Sequence, residues 1–295
     1  MNYLDLPAVC FREPGPIDLD RLPTDLGDDL RKKELKDSLE KDRARIAELQ
    51  EVLYAGNSHA LLLIFQAMDA GGKDSCVEHV MTGVNPMGCH VTSFKAPSSE
   101  ELAHDFLWRH AKAIPAKGMI GIHNRSHYEE VLVVKVHPEY LLGQRIPGIT
   151  DPGKVGQEFW EERYVSIRDF EAHLARQGVT IMKFFLHMSR AAQKERFMER
   201  IEDPKKNWKF NMGDVKERGH WDAYQEAYAD AIAATAVAHA PWFVIPADDQ
   251  WESRAIVGRL VREQLEALNL RMPELDAKAK EALHNAKDLL AKEGS

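Results

Sequence analysis

Ala60-Leu61-Leu62-Leu63-Ile64-Phe65-Gln66-Ala67-Met68-Asp69-Ala70-Gly71-Gly72-Lys73-Asp74 is the stretch on which the fold of this chain turns. The run from Ala60 to Phe65 is short, apolar and followed by a glycine pair, the pattern of a buried strand that ends in a tight loop. The residues after Lys73 can open a helix, so the prediction is strand, loop, helix. Such a loop lets backbone amides approach phosphate oxygens where glycine removes the side chain, and a lysine at the helix start meets the outer phosphates. Counted from Ala67, the spacing of G-x-x-x-x-G-K-[ST] is kept, but Ala67 replaces the first glycine and Asp74 the hydroxyl residue. A plain glycine turn fits the same letters. Asp69 and Asp74 flank Lys73, and carboxylates repel a phosphate beside them unless a divalent cation lies between. Magnesium is therefore expected.

The 295 residues suffice for one large α/β domain with helical additions. A net charge of -8 argues against general nucleic-acid binding, so any polyanion must meet a local basic patch. Cys10, Cys76 and Cys89 are odd in number and lack metal-ligand spacing, which points to a reducing cytoplasm rather than a disulfide framework. The first residues do not read as a signal peptide, and no apolar run approaches the roughly 20 residues of a membrane span. A soluble cytoplasmic protein without a membrane partner is expected.

Residues 1–27 lack periodicity and read as an arm, extended or packed on a neighbour. Leu30, Leu35, Leu39, Ile46, Leu49 and Leu53 then recur at near-helical spacing up to a stop at Gly56-Asn57. Further strands are predicted at 89–94, 118–123, 179–186 and 242–245. Ser98 and Glu101 form a capping box for a helix to about Lys112. Helices are expected over 154–176, over 190–201 behind a Ser189 cap, and over 214–239 and 248–268, with a helical or frayed tail at 274–295. Residues 131–136 read equally as strand or helix. Strands alternating with helices predict a parallel sheet covered on both faces.

In such folds ligands sit beyond the carboxyl ends of the strands. Asn124-Arg125-Ser126 ends a buried strand, where Arg125 is either a bidentate phosphate donor or an ordinary surface arginine. Residues 190–218 are dense in cations, and Arg196 and Arg200 share a helix face. Glu195, Glu199 and Glu202 would make this a solvated helix face, whereas Asp203-Pro204 and Gly213 punctuate it like a hinged lid over phosphates. The tryptophans at 160, 208, 221, 242 and 251 are assigned to core and packing sites.

Together, the loop 67–74, the segment Asn124-Arg125-Ser126-His127-Tyr128-Glu129, the run Lys183-Phe184-Phe185-Leu186-His187 and the stretch from Glu195-Arg196 through Asp203-Pro204-Lys205-Lys206-Asn207-Trp208-Lys209 resemble the second family of polyphosphate kinases. The likeness runs from about Glu34 to Leu270. It implies a P-loop kinase fold similar to thymidylate kinase: a three-layer α/β sandwich with a central parallel sheet, domain bounds near 28–270, a helical lid near 190–218, and a helical tail at 271–295. It also implies a magnesium-dependent transfer, with manganese as a substitute, of the terminal phosphoryl of inorganic polyphosphate to AMP or ADP, giving ATP, in a homo-oligomer that is often a tetramer. Guanine nucleotides are further candidate acceptors. By position, Asp69 resembles the metal-linked catalytic aspartate, Lys73 the phosphate-binding lysine and Arg125 the arginine of the second motif. Ala70, Gly71, Gly72 and Asp74 complete the phosphate loop. Lys183, Arg196, Arg200, Lys206 and Lys209 resemble the basic residues of the polyphosphate path and lid, and Asn124, Arg125, Tyr128 and Glu129 those meeting the nucleotide. Asn124 stands where some members carry aspartate, and Asn207 where an arginine is common. Two other readings share these features: an ATP-dependent nucleoside monophosphate kinase, and a non-catalytic P-loop scaffold, which Ala67 and Asp74 favour.

Overall fold

The computed structural model describes residues 9–27 and 32–293. Residues 1–8 of the arm, Leu30 and the domain boundary at 28, and the last two residues of the tail lie outside them. The strands are β1 (Val9–Phe11), β2 (Ala60–Ala67), β3 (Cys89–Ser93), β4 (Ile120–Asn124), β5 (Val179–His187) and β6 (Trp242–Pro246). Their order in the single sheet is β1-β6-β5-β2-β4-β3, parallel throughout except for β1, which pairs antiparallel with β6. The β2 strand lies at the centre, buried at every residue.

The longer helices are α1 (Lys32–Gly56), α2 (Lys73–Val80), α6 (Gln157–Arg176), α7 (Arg190–Glu202), α9 (Trp221–Thr235), α10 (Gln250–Ala267) and α11 (Ala277–Lys292). Between them fall the short α3 (Trp108–Ala111), α4 (Val133–Val136), α5 (Leu141–Gln144) and α8 (Met212–Glu217). The β2-to-β3 crossover runs one way along the sheet, and β4-to-β5 and β5-to-β6 run the other. Right-handed crossovers therefore put α2 on one face and α6 and α9 on the opposite one. α10 packs on α2 and α1 on α10, completing the first layer. Gly258 permits the α1–α10 approach, since a Cβ there would lie 2.6 Å from Leu39 Cδ1.

Several local signals act as read. Leu35, Leu39, Ile46, Leu49 and Leu53 form the buried stripe of α1, which ends at Gly56 before Asn57 turns left-handed at φ 46°. The Ser189 side chain accepts the Ala192 amide at the start of α7. Ser98 and Glu101 exchange both capping-box hydrogen bonds, yet open only a single 3-10 turn at Glu101–Ala103, with α3 following separately. The open segment is helical: a 3-10 turn at His127–Val131, then α4. The helix expected over 214–239 is broken into α8, a 3-10 turn at Arg218–His220, and α9. The described part of the arm packs on its own chain: Leu19 is buried, and the Thr24 carbonyl accepts the amides of Ala247 and Asp248 just beyond β6.

Candidate phosphoryl-transfer site

The parallel strands deliver their following loops to one edge of the sheet, where the loop after β2 is the most constrained. Gly72 has φ 89°, a left-handed conformation that suits glycine. A Cβ on Gly71 would lie 2.5 Å from Ala67 Cβ and 2.8 Å from the Met68 carbonyl oxygen, so only glycine fits. Ala67 therefore fills, with its methyl group, the space beneath the loop. Ala70 is also left-handed, at φ 61°, and strain of this kind in a non-glycine residue collects at functional sites. Lys73 opens α2 and folds back over the loop, donating to the Ala67 carbonyl at 2.7 Å. Burial, with the Arg125 charge beside it, pushes its ammonium down to about 8.

Arg125 follows β4 with φ 63° and reaches across to Asp69, 3.0 Å away, and to Glu129 at 3.5 Å. Burial raises the Glu129 carboxyl above its ordinary range, against the pull of Arg125. Asn124 donates to Asp74 and lies 3.5 Å from Ser93 Oγ, so it holds the carboxylate that replaces the usual hydroxyl residue. Gln66 and Gln193, absent from the sequence-based set, do the bracing. The Gln66 amide donates to Ser126 Oγ, which accepts the Tyr128 amide, fixing the turn after Arg125. Gln193 donates to the Asp69 carbonyl at 2.9 Å and accepts from Arg218 at 2.7 Å.

Asp69 and Arg125 stand where two cavities meet. One is a pocket of about 130 Å³ whose walls include Glu129, Leu132, His137, Tyr140, Tyr224 and Tyr228. The other is a cleft of about 1140 Å³ running over residues 69–75 and beneath the 190–218 segment, with Arg196, Arg200, Lys206 and Lys209 on its wall. Glu195, Glu199, Asp214 and Asp248 also face this cleft, so it is mixed in charge rather than the basic patch expected for a polyanion. Arg200 is 3.3 Å from Asp214, and Lys206 is 2.9 Å from Glu199. Arg196 spends its guanidinium on the carbonyls of Ala70, Ala247 and Asp248, clamping the phosphate loop to the end of β6.

Two expected site residues are elsewhere. Lys183 is fully buried in β5, where Nζ donates to Glu171 at 2.7 Å, Tyr128 Oη at 2.8 Å and the Thr235 carbonyl at 2.9 Å. All three of its protons are engaged, and it lines neither cavity, so it is no part of the polyphosphate path. Tyr128 is likewise buried, its hydroxyl within that cluster, and does not line the smaller pocket. Trp208 corrects the packing assignment in the other direction: it is 78% exposed on the cleft wall, with Lys209 Nζ 5.1 Å from its ring. Asn207 donates to the Arg200 and Ile201 carbonyls and closes the end of α7, facing its own helix rather than a phosphate.

A parallel sheet with a glycine-lysine loop at the centre, a crossing arginine and a covering helical segment defines a P-loop phosphotransferase. Residues 29–273 match the family model described as polyphosphate kinase 2, and the chain belongs to that family. It is 46% identical to an ADP-polyphosphate phosphotransferase of Rhodopseudomonas palustris, over 94% of this chain and 96% of that one. An AMP/ADP-polyphosphate phosphotransferase of Meiothermus ruber is also 46% identical, over 78% of this chain and 80% of that protein. The crystal structure of polyphosphate kinase 2 from Arthrobacter aurescens TC1 superposes with a TM-score of 0.83 at 38% identity, covering 97% of each chain.

Proposed function

We propose that this chain transfers the terminal phosphoryl of inorganic polyphosphate to AMP and ADP. The observation that carries this reading is the meeting of a small pocket and a long cleft at Asp69 and Arg125, one space suited to an acceptor and one to an extended donor. An acceptor phosphate oxygen attacks the terminal phosphorus from the pocket side, and the bridging P–O bond on the cleft side breaks. The products are the nucleotide with one more phosphate, ADP or ATP, and a polyphosphate shorter by one. Such a transfer calls for alignment and charge neutralisation rather than a covalent nucleophile. Lys73 and the loop amides hold the donor's end, and Arg125 spans acceptor and migrating phosphoryl. Gln193 and Arg196 keep the loop in shape.

Magnesium fits this donor set. Among the described residues no group of three His, Cys, Asp or Glu side chains is placed to cage a metal. Magnesium binds instead through one or two carboxylates together with substrate phosphates and water, and Asp69 and Asp74 supply the carboxylates. When bound it offsets phosphate charge. Manganese as a substitute, guanine nucleotides as further acceptors, a homotetramer and a cytoplasmic site of action belong to the same proposal. Its support on location is that all three cysteines are unpaired and that no described helix is long and apolar enough to cross a membrane.

The test is chromatography of nucleotides after incubation with magnesium, long-chain polyphosphate and either AMP or ADP, with polyphosphate omitted or replaced by ATP in the controls. ADP then ATP from AMP, and ATP from ADP, only when polyphosphate is present, is the expected result. ADP formed from AMP and ATP alone would make the protein a nucleoside monophosphate kinase. Polyphosphate binding without turnover would make it a scaffold.

A further inference from the structure

The large cleft does not end at Lys73. It continues past Ser75 to Gln250, Trp251 and Lys32, where the start of α1 meets the start of α10. Three cations gather on the Trp251 indole: Lys36 Nζ lies 4.5 Å from the ring centroid, the Arg254 guanidinium carbon 4.5 Å and Lys32 Nζ 5.9 Å. The edge of the His79 ring packs on the same indole at 5.3 Å. None of the three cations pairs with a carboxylate among the described residues, in contrast to Arg200 and Lys206 on the lid. Among the described residues, Asp249 and Glu78 act on Arg254 through space without a direct ion pair, and the acids at the start of α10 have hydrogen-bond partners of their own. Asp249 caps α10 through the amides of Trp251 and Glu252, Asp248 accepts from Thr24 and the Ser189 amide, and Glu252 holds the Leu26 amide.

Arg254 ties this cluster to the phosphate loop. It is buried, donates to Ser75 Oγ at 2.6 Å in the first turn of α2, and has an Nε with no partner. A cation on one aromatic face is stabilising, but three on one ring repel each other, and an anion brought among them relieves that repulsion. A nucleobase is a poor candidate for that role, because the cations already occupy the ring.

We propose that Lys32 and Trp251 on the wall of the cleft, with Lys36 and Arg254 packed on the same indole beside it, form a distal subsite for inorganic polyphosphate, holding phosphates of the donor well behind the one transferred. This rests on the donor assignment under Proposed function. The chain would leave the transfer point along the start of α2 towards α1 and α10, rather than along the lid, whose Arg200 and Lys206 are already paired. The subsite makes the protein selective for donors long enough to reach Trp251.

The test compares the wild-type full chain with Lys32→Ala/Lys36→Ala, two exposed substitutions, using ADP and size-fractionated polyphosphates from tripolyphosphate to long chains. The expected result is a fall of about tenfold in the ratio of long-chain to short-chain kcat/KM. The dependence of log kcat/KM on log salt for long chains should become shallower by about one to two, since each phosphate contact contributes roughly 0.7 to 0.9 to that slope. Arg254→Gln should lower the same ratio. An unchanged ratio, or equal loss with short and long donors, overturns the subsite. Binding of long-chain polyphosphate to unreacted protein, followed by tryptophan fluorescence, reads the same question without turnover. Weaker binding in the double variant supports the subsite, and equal binding overturns it. Loss of all polyphosphate-dependent ATP formation in the wild type would instead strike the donor assignment.

Discussion

Lys73 opens α2 just beyond β2, Lys183 lies in the neighbouring strand β5, and burial holds both below the ordinary lysine range. They nevertheless do opposite things. Lys73 leans on the carbonyls of its own loop, has Arg125 for a like-charged neighbour and faces the cleft, so an incoming phosphate improves its surroundings. Lys183 meets Glu171, Tyr128 and Thr235 with all three protons, and burial with that ion pair leaves it nothing to gain from a ligand. A buried lysine near the centre of the sheet is thus a binding group or a structural post according to whether its partners are complete.

The sharpest way to break this contrast is Lys73→Ala. Loss of a preorganised donor costs about 10²- to 10³-fold in turnover, so kcat/KM for polyphosphate should fall at least that far while the thermal midpoint stays near wild type. Near-normal turnover would remove the loop from the mechanism. Lys183→Ala should do the reverse. Leaving Glu171 as an uncompensated buried charge costs about 3–5 kcal/mol, read as a lower denaturant midpoint. Activity per folded molecule should hold. The pair Lys183→Met/Glu171→Leu, which removes both charges, should lose less stability than the single variant. A raised KM for polyphosphate in a stably folded Lys183 variant would return that residue to the donor path.

The pH profile sharpens the comparison. With its ammonium pushed down to about 8, free Lys73 loses its proton as pH rises through that value, so kcat/KM for polyphosphate should decline above pH 8 by up to tenfold per unit. kcat itself should decline less, because bound phosphates keep the proton on Lys73. Stability moves the other way. Between about 8 and 10.5 the unfolded chain binds the proton and the folded one does not, so this group adds stability with rising pH, and lost activity there is not unfolding. A profile of kcat/KM flat from pH 7 to 9.5 would contradict the assignment. The smallest effect belongs to Asn207→Ala. It removes the side-chain closure of α7 and should cost about 1 kcal/mol, with the salt dependence of kcat/KM unchanged. A shallower salt dependence would make Asn207 a phosphate contact after all.

Much of the site could be read along the chain because its determinants are local. Gly71-Gly72-Lys73 is dictated by backbone conformation within a few residues, and so are the Ser189 cap and the stop at Gly56-Asn57. Capping alone was insufficient at Ser98: both of its bonds form, but the following residues have no long face to bury, and only a 3-10 turn results. The pocket wall was not legible. Tyr224 and Tyr228 on α9, His137 after α4 and Gln193 on α7 converge from three stretches, and nothing in their separate surroundings marks them as partners.

The sequence by itself determined the strand-loop-helix at 60–80, the alternation that makes a parallel sheet, and the glycine positions where a side chain cannot fit, because hydrophobic periodicity and backbone sterics act over a few residues. Tertiary structure alone decided which charges are available. It buried Lys183 and Tyr128 against Glu171, exposed Trp208, turned Arg196 onto carbonyl oxygens, and gathered Lys32, Lys36 and Arg254 on one indole. The reason is that the value of a charge depends on its desolvation and on its partners across the fold, which sequence distance does not encode.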